Sequence, residues 1–185
     1  MKKIILSVSL ILCAMAGLVP GARADETAMR SCSTSSRVFV QSFYDWYVIK
    51  KDKQPDIRGT EEALKQKKEL FDSPLYKELM EDQNAAAKAP GELVGLDFDP
   101  FVNANGLIYN KYQTGKAICK GTTCRVPIYG IEPGKKQKFV VEAEVGTKNG
   151  RYFFTNFHYG KTASPANENL LSLLGELKKE RRNTK

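Results

Sequence analysis

From Arg37 to Lys51 apolar side chains return at helical spacing: Val40, Phe43, Tyr44, Tyr47 and Val48 on one line, Phe39, Phe43 and Trp46 on its neighbour. This pattern predicts a helix with a wide aromatic face, started by the cap-forming run Ser33–Ser36. Thr60 ahead of Glu61 and Glu62 marks a second helix start, with Leu64, Leu70 and Phe71 as its apolar contribution. Ser73-Pro74 restarts the helix, because proline is tolerated at a first helical position. Leu75, Leu79 and Met80 form its buried side, and Ala89-Pro90-Gly91 ends it. Residues 91–110 read as a loop, with glycines and a proline among scattered apolar positions.

From Tyr112 the period changes to two. The runs YQTGKAIC, CRVPIYGIE, KFVVEAEV and RYFFTNFHY are separated by Lys120-Gly121, Pro133-Gly134 and Asn149-Gly150, and the Asn-Gly pair is a strong hairpin signal. In the third run Phe139, Val141, Ala143 and Val145 face one way, while Glu142 and Glu144 face the other. That alternation describes a sheet with one covered and one wetter face. The chain closes on a helix over NENLLSLLGELKKERR, with Asn167 as its cap and Leu170, Leu173, Leu174 and Leu177 as its stripe. N-terminal helices packed on an antiparallel sheet of about four strands, with a C-terminal helix, define an α+β domain.

The first residues decide where this domain works. Met1-Lys2-Lys3, an apolar run from Ile4 to Val19 and the ending Ala22-Arg23-Ala24 are the three parts of a secretory signal peptide. The run is shorter than the roughly 20 residues a membrane span needs. Cleavage after Ala24 leaves residues 25–185 as one domain, with no transmembrane segment and the Gram-negative periplasm as its destination. Cys13 sits mid-run behind Leu12 and leaves with the leader. Of the formal net charge of +8, Lys2, Lys3 and Arg23 belong to the leader, and residues 178–185 hold five cations against one anion. The body between them is nearly neutral, which argues against a nucleic-acid binder. The basic end suits a solvated helix terminus favoured by the helix dipole, or a weak attraction to anionic headgroups.

Chemistry-bearing residues are few. Asp97 and Asp99, two apart in LDFDPF, share a side if extended, and so suit a cation or acid–base work. An aspartate before proline is also a frequent turn starter. His158 is the only histidine, so histidine clusters are excluded and no metal site is expected. By alternation His158 shares a face with Tyr152, Phe154 and Asn156, which makes His158 and Asn156 the polar groups of an aromatic pocket if that face lines a cavity. The alternative is a strand-end histidine bonded to backbone. The glycines at 91, 95 and 106 match no nucleotide fingerprint, and no cofactor is expected.

FYDWYV on the first helix, LDFDPF before the sheet and FHY at the last strand resemble a family of exported bacterial proteins of unknown function, periplasmic or lipoprotein-anchored. The similarity runs from about Val38 to Tyr159. The resemblance implies a curved sheet wrapped against helices, the cone shape of the nuclear transport factor 2-like kind, and an envelope role. Cone-fold enzymes can use a buried tyrosine and aspartate as oxyanion donor and base, which makes Tyr44 a candidate beside the reading of Tyr44 and Trp46 as core aromatics. Asp45 falls beside the apolar stripe, at the surface. The leading expectation is a non-enzymatic domain that binds another envelope protein or a small hydrophobic ligand. An immunity or inhibitor protein against a periplasmic toxin or hydrolase, and an enzyme acting on a hydrophobic ligand in the cone, are the alternatives.

An oxidising compartment makes Cys119 and Cys124 a disulfide pair across a four-residue hairpin loop. In the chain-entropy model so small a loop is stabilised by about 2 kcal/mol. Cys32 is left over, free, pairing two copies, or competing for one of the hairpin cysteines.

Overall fold

Serines that cap a helix also sit inside one when their hydroxyls find carbonyl partners. In the structure, a computed structural model that describes residues 21–51, 54–89, 94–105, 109–160 and 169–183, helix α1 (Gly21–Tyr47) runs straight through Ser33–Ser36. Ser36 Oγ donates to the carbonyl of Ser33 at 3.1 Å, and Ser33 Oγ reaches the carbonyl of Ala117, also at 3.1 Å. These serines are therefore interior to the helix and do not start it. Residues 1–20 of the expected leader lie outside the described residues, as do Pro90, Gly91 and Asn167.

Helix α1 stops at Tyr47, short of the expected Lys51. Arg58 closes its last turn, with N–H donated to Tyr47 O at 3.0 Å and Nε–H to Trp46 O at 2.8 Å. The β-branched pair Val48-Ile49 then enters β1 (Val48–Lys51), which pairs antiparallel with β2 (Gln54–Ile57). Helix α2 (Thr60–Gln66) and a short 3-10 turn (Lys68–Leu70) lead into α3 (Ser73–Ala87). Asp72 caps α3 by accepting the Leu75 N–H at 2.9 Å, with Pro74 in the first turn.

The main sheet has five strands: β3 (Lys111–Thr114), β4 (Ile118–Lys120), β5 (Thr123–Ile131), β6 (Lys138–Lys148) and β7 (Arg151–His158). Its order is β3-β5-β6-β7, all antiparallel, and β4 continues the β3 edge alongside β5. The run YQTGKAIC is thus one interrupted edge rather than one strand. Asn149 and Gly150 both take positive φ, 52° and 73°, as the tight β6–β7 hairpin requires.

Two register shifts alter which side chains face inward. The first, between Ile128 and Tyr129, leaves Val140 as an extra residue in β6. Val140 and Val141 are consequently both buried, while Phe139, expected inside, is 41 % exposed. The second shift, between Glu144 and Val145, leaves Thr155 extra in β7.

The covered face of the sheet is filled with aromatic rings. Phe43 of α1 lies 5.0 Å from Phe154 of β7, 5.2 Å from Tyr47 and 5.4 Å from Phe101, centroid to centroid. Each such ring contributes roughly 1.5–3 kcal/mol of burial.

Helix α4 (Leu170–Asn183) buries Leu170 and Leu174. Asn169 caps it by accepting the Ser172 N–H at 3.0 Å. Its basic end is partly paired: Lys178 Nζ lies 2.5 Å from Glu81 and 3.0 Å from Glu78, and Arg181 lies 2.6 Å from Asp82, while Lys179 and Arg182 are exposed. The acids of α3 supply the partners that a reading of the α4 segment alone omits. Among the described residues no helix is long and apolar enough to cross a membrane.

Candidate functional site

Asp99 opens a tight loop at Asp-Pro. Its N–H donates to Ala104 O at 2.9 Å, and Ala104 N–H returns to Asp99 O at 3.4 Å. One carboxylate oxygen, Oδ1, accepts the N–H groups of Phe101 and Val102 at 2.9 and 3.3 Å. The other, Oδ2, accepts the Tyr47 hydroxyl. Two further phenols hold the same loop: Tyr44 donates to Phe101 O at 2.6 Å and Tyr159 to Pro100 O at 3.3 Å. The helical spacing of Tyr44 and Tyr47 on α1 and the end of β7 thus bring three hydroxyls to one loop.

Burial raises the pKa of Asp99, opposed by the Tyr47 and backbone hydrogen bonds. Burial, then the Asp99 charge, pushes Tyr44, Tyr47 and Tyr159 above the ordinary phenol value. The three tyrosines therefore act as neutral donors rather than bases. Both Asp99 oxygens are engaged, and the arrangement ties loop 99–104 to α1. Asp97 is exposed and stands with Asp99, Thr60 and Asn105 around an open depression of about 360 Å³. Asp45 is exposed.

Asn156 and His158 do not join this group, nor do they share an aromatic pocket with Phe154. The extra residue Thr155 breaks the alternation, so Phe154 turns into the core with Phe157. Asn156 fastens β7 to α4: Oδ1 accepts the N–H groups of Phe157 and Leu171 at 2.9 and 3.2 Å, and Nδ2 donates to Asn169 Oδ1 at 3.0 Å. His158 Nε2 lies 3.0 Å from Glu144 Oε2, and Thr155 Oγ1 donates to Glu144 Oε1 at 2.8 Å.

Arg125 crosses from β5 to Glu142 and Glu144, at 3.6 and 3.5 Å. Burial opposes ionisation of Glu144, but the bonds from Thr155 and His158 and the charges of His158 and Arg125 outweigh it and hold its pKa low. Glu144 was legible only as one of two outward-facing acids; its partners come from cross-strand register.

Beside this network Ile118 is 71 % exposed. It shares a depression of about 640 Å³ with Lys120, Thr123, Arg125 and Glu142. Behind it, on the covered face, Cys119 and Cys124 are directly opposed across β4 and β5 and joined by a disulfide. Cys32 of α1 meets that bond, its Sγ 3.5 Å from Cys124 Sγ, and the three sulfurs lie within 4.8 Å of one another. Comparison with protein-family models, with curated proteins and with solved structures finds no match to this chain.

Proposed function

We propose that this chain is an exported, non-catalytic binding domain of the bacterial envelope, of the cone-like kind, that docks a second envelope protein on the outer face of β4 and β5. The observation that carries this reading is Ile118, a largely exposed aliphatic side chain opposite Arg125 across the ladder and two residues from Lys120. An apolar anchor beside the exposed Lys120, with the Arg125–Glu142 pair at its rim, fits a partner segment with an apolar side chain next to a carboxylate. Export is supported by the leader pattern and by the Cys119–Cys124 disulfide. A non-catalytic role is supported by the filled aromatic face and by the structural use of Tyr44, Tyr47 and Asp99.

Size-exclusion of a periplasmic extract tests the reading. The mature chain, beginning at Asp25, should elute in a complex larger than a monomer. Ile118→Thr with Lys120→Ala, both at exposed positions, should return it to the monomer position without lowering its melting midpoint. A wild-type chain that elutes as a monomer, or a complex indifferent to these changes, overturns the proposal.

A further inference from the structure

The cysteine left over by pairing arithmetic is not isolated. Cys32 projects from α1 toward the covered face of the sheet, one residue before Ser33, whose hydroxyl bonds the Ala117 carbonyl at the start of the hairpin. That contact fixes the helix against β4, and it leaves Cys32 Sγ 3.5 Å from Cys124 Sγ, close to sulfur–sulfur contact. Cys124 is buried, while Cys119, on the edge strand, is partly exposed. A thiol in contact with a disulfide is within reach of thiol–disulfide exchange once its sulfur swings into line with the bond it attacks.

We propose that Cys32, Cys119 and Cys124 form an exchange triad in which one disulfide moves between 119–124 and 32–124. Cys32 loses its proton, and the thiolate attacks Sγ of Cys124. The Cys119–Cys124 bond breaks, its electron pair leaves on Cys119 as a thiolate, and a Cys32–Cys124 bond forms. Cys119 then takes up a proton. One disulfide and one thiol are present before and after, so the step needs neither oxidant nor reductant.

The two isomers differ in what they restrain. The 119–124 bond pins a two-residue turn. The 32–124 bond fastens α1 to β5 and closes a far longer loop, which restrains the unfolded chain more. It also places the free thiol on the edge strand, where Cys119 is open to a small thiol or disulfide from solution. The fold thereby carries a switch between an N-terminal helix held by packing and hydrogen bonds alone and one also anchored covalently.

Peptide mapping tests this. The purified protein is held at pH 8, free thiols are trapped with N-ethylmaleimide at successive times, and the chain is digested with pepsin in acid, where exchange stops. Two populations are expected: linked 119–124 with labelled Cys32, and linked 32–124 with labelled Cys119, the second rising to a plateau. A Cys119→Ser variant treated with oxidised glutathione should form the 32–124 link in the monomer. If wild type shows only labelled Cys32 at every time, the triad does not exchange and the proposal fails. If Cys119→Ser also folds yet leaves Cys32 and Cys124 labelled or glutathionylated, the two sulfurs cannot bond at all, and it fails on that ground too.

Discussion

Gln41 of α1 completes the edge of the sheet: its Oε1 accepts the Thr114 N–H at 2.9 Å, and its Nε2 donates to Tyr112 O at 3.1 Å. One side chain thus takes the place of a neighbouring strand over two residues of β3, which guards an edge that would otherwise template pairing. Gln41→Leu leaves both backbone groups without that partner. A loss of about 1–2 kcal/mol is expected, read as a lower urea midpoint with an unchanged slope. Gln41→Glu keeps the acceptor but sets a carboxylate against Tyr112 O and Asp45, to which Gln41 Nε2 also donates at 2.8 Å, and should not restore the wild-type midpoint.

Arg181 and Asp82 join α4 to α3 at 2.6 Å, and the second Asp82 oxygen accepts the Leu96 N–H at 2.9 Å. Asp82 is buried. Arg181→Ala strands its carboxylate and should cost about 2–4 kcal/mol, since breaking a buried pair leaves an uncompensated charge. Adding Asp82→Asn removes that charge while keeping an oxygen for Leu96. The double variant should therefore be more stable than Arg181→Ala alone in guanidinium melts.

Gly130 in β5 lies under the ring of Tyr109: a Cβ added there would come 2.1 Å from Tyr109 Cδ2. Gly130→Ala must push a buried ring aside, at an expected cost of about 2–3 kcal/mol. A Cβ at Gly150 meets nothing within 4 Å, so Gly150→Ala carries only the strain of φ 73°, about 1 kcal/mol. Denaturant midpoints of the two variants should rank in that order.

Asp99 makes stability depend on pH in a defined direction. Its folded-state pKa is raised, chiefly by burial. The folded state therefore holds the proton more readily than the unfolded chain, and stability falls as pH rises from the ordinary aspartate range through the raised value. Asp99→Asn removes this dependence while keeping an oxygen for the Phe101 and Val102 N–H groups. The melting midpoint of wild type minus that of Asp99→Asn should become more negative between about pH 4 and pH 7. Glu144, with a lowered pKa, loses stability toward acid, but it is present in both proteins and cancels in the difference. A difference that stays flat or rises would show that Asp99 is not carried buried and ionised at neutral pH.

Much of the architecture was readable in the chain because periodicity reports burial directly. The aromatic stripe of α1, the Pro74 restart and the Asn149-Gly150 hairpin all follow local rules, and α+β class follows from their order. Where reading failed, the cause was non-local. Val48-Ile49 continues the helical stripe on paper, but Arg58 takes the terminal carbonyls of α1 and the chain turns into β1. The bulges at Val140 and Thr155 depend on how neighbouring strands align: the first turns Phe139 outward while Val141, Ala143 and Val145 stay inward, and the second inverts the positions after it in β7. That inversion is why His158 and Phe154 part company.

The candidate site was readable only in pieces. Tyr44 and Asp99 could be named as residue types, yet their meeting depends on loop 99–104 folding back on α1. Cys32 could be counted as unpaired, but its position against Cys124 is a property of how α1 lies on the sheet.

Photocrosslinking in living cells tests most directly whether the outer face of β4 and β5 is a docking surface. A photoreactive amino acid replaces Ile118 in one strain and Lys77, an exposed position on α3, in another. A docking surface there gives one discrete adduct of constant mass from position 118 and none from 77. No adduct from 118, or the same ladder from both positions, would contradict it.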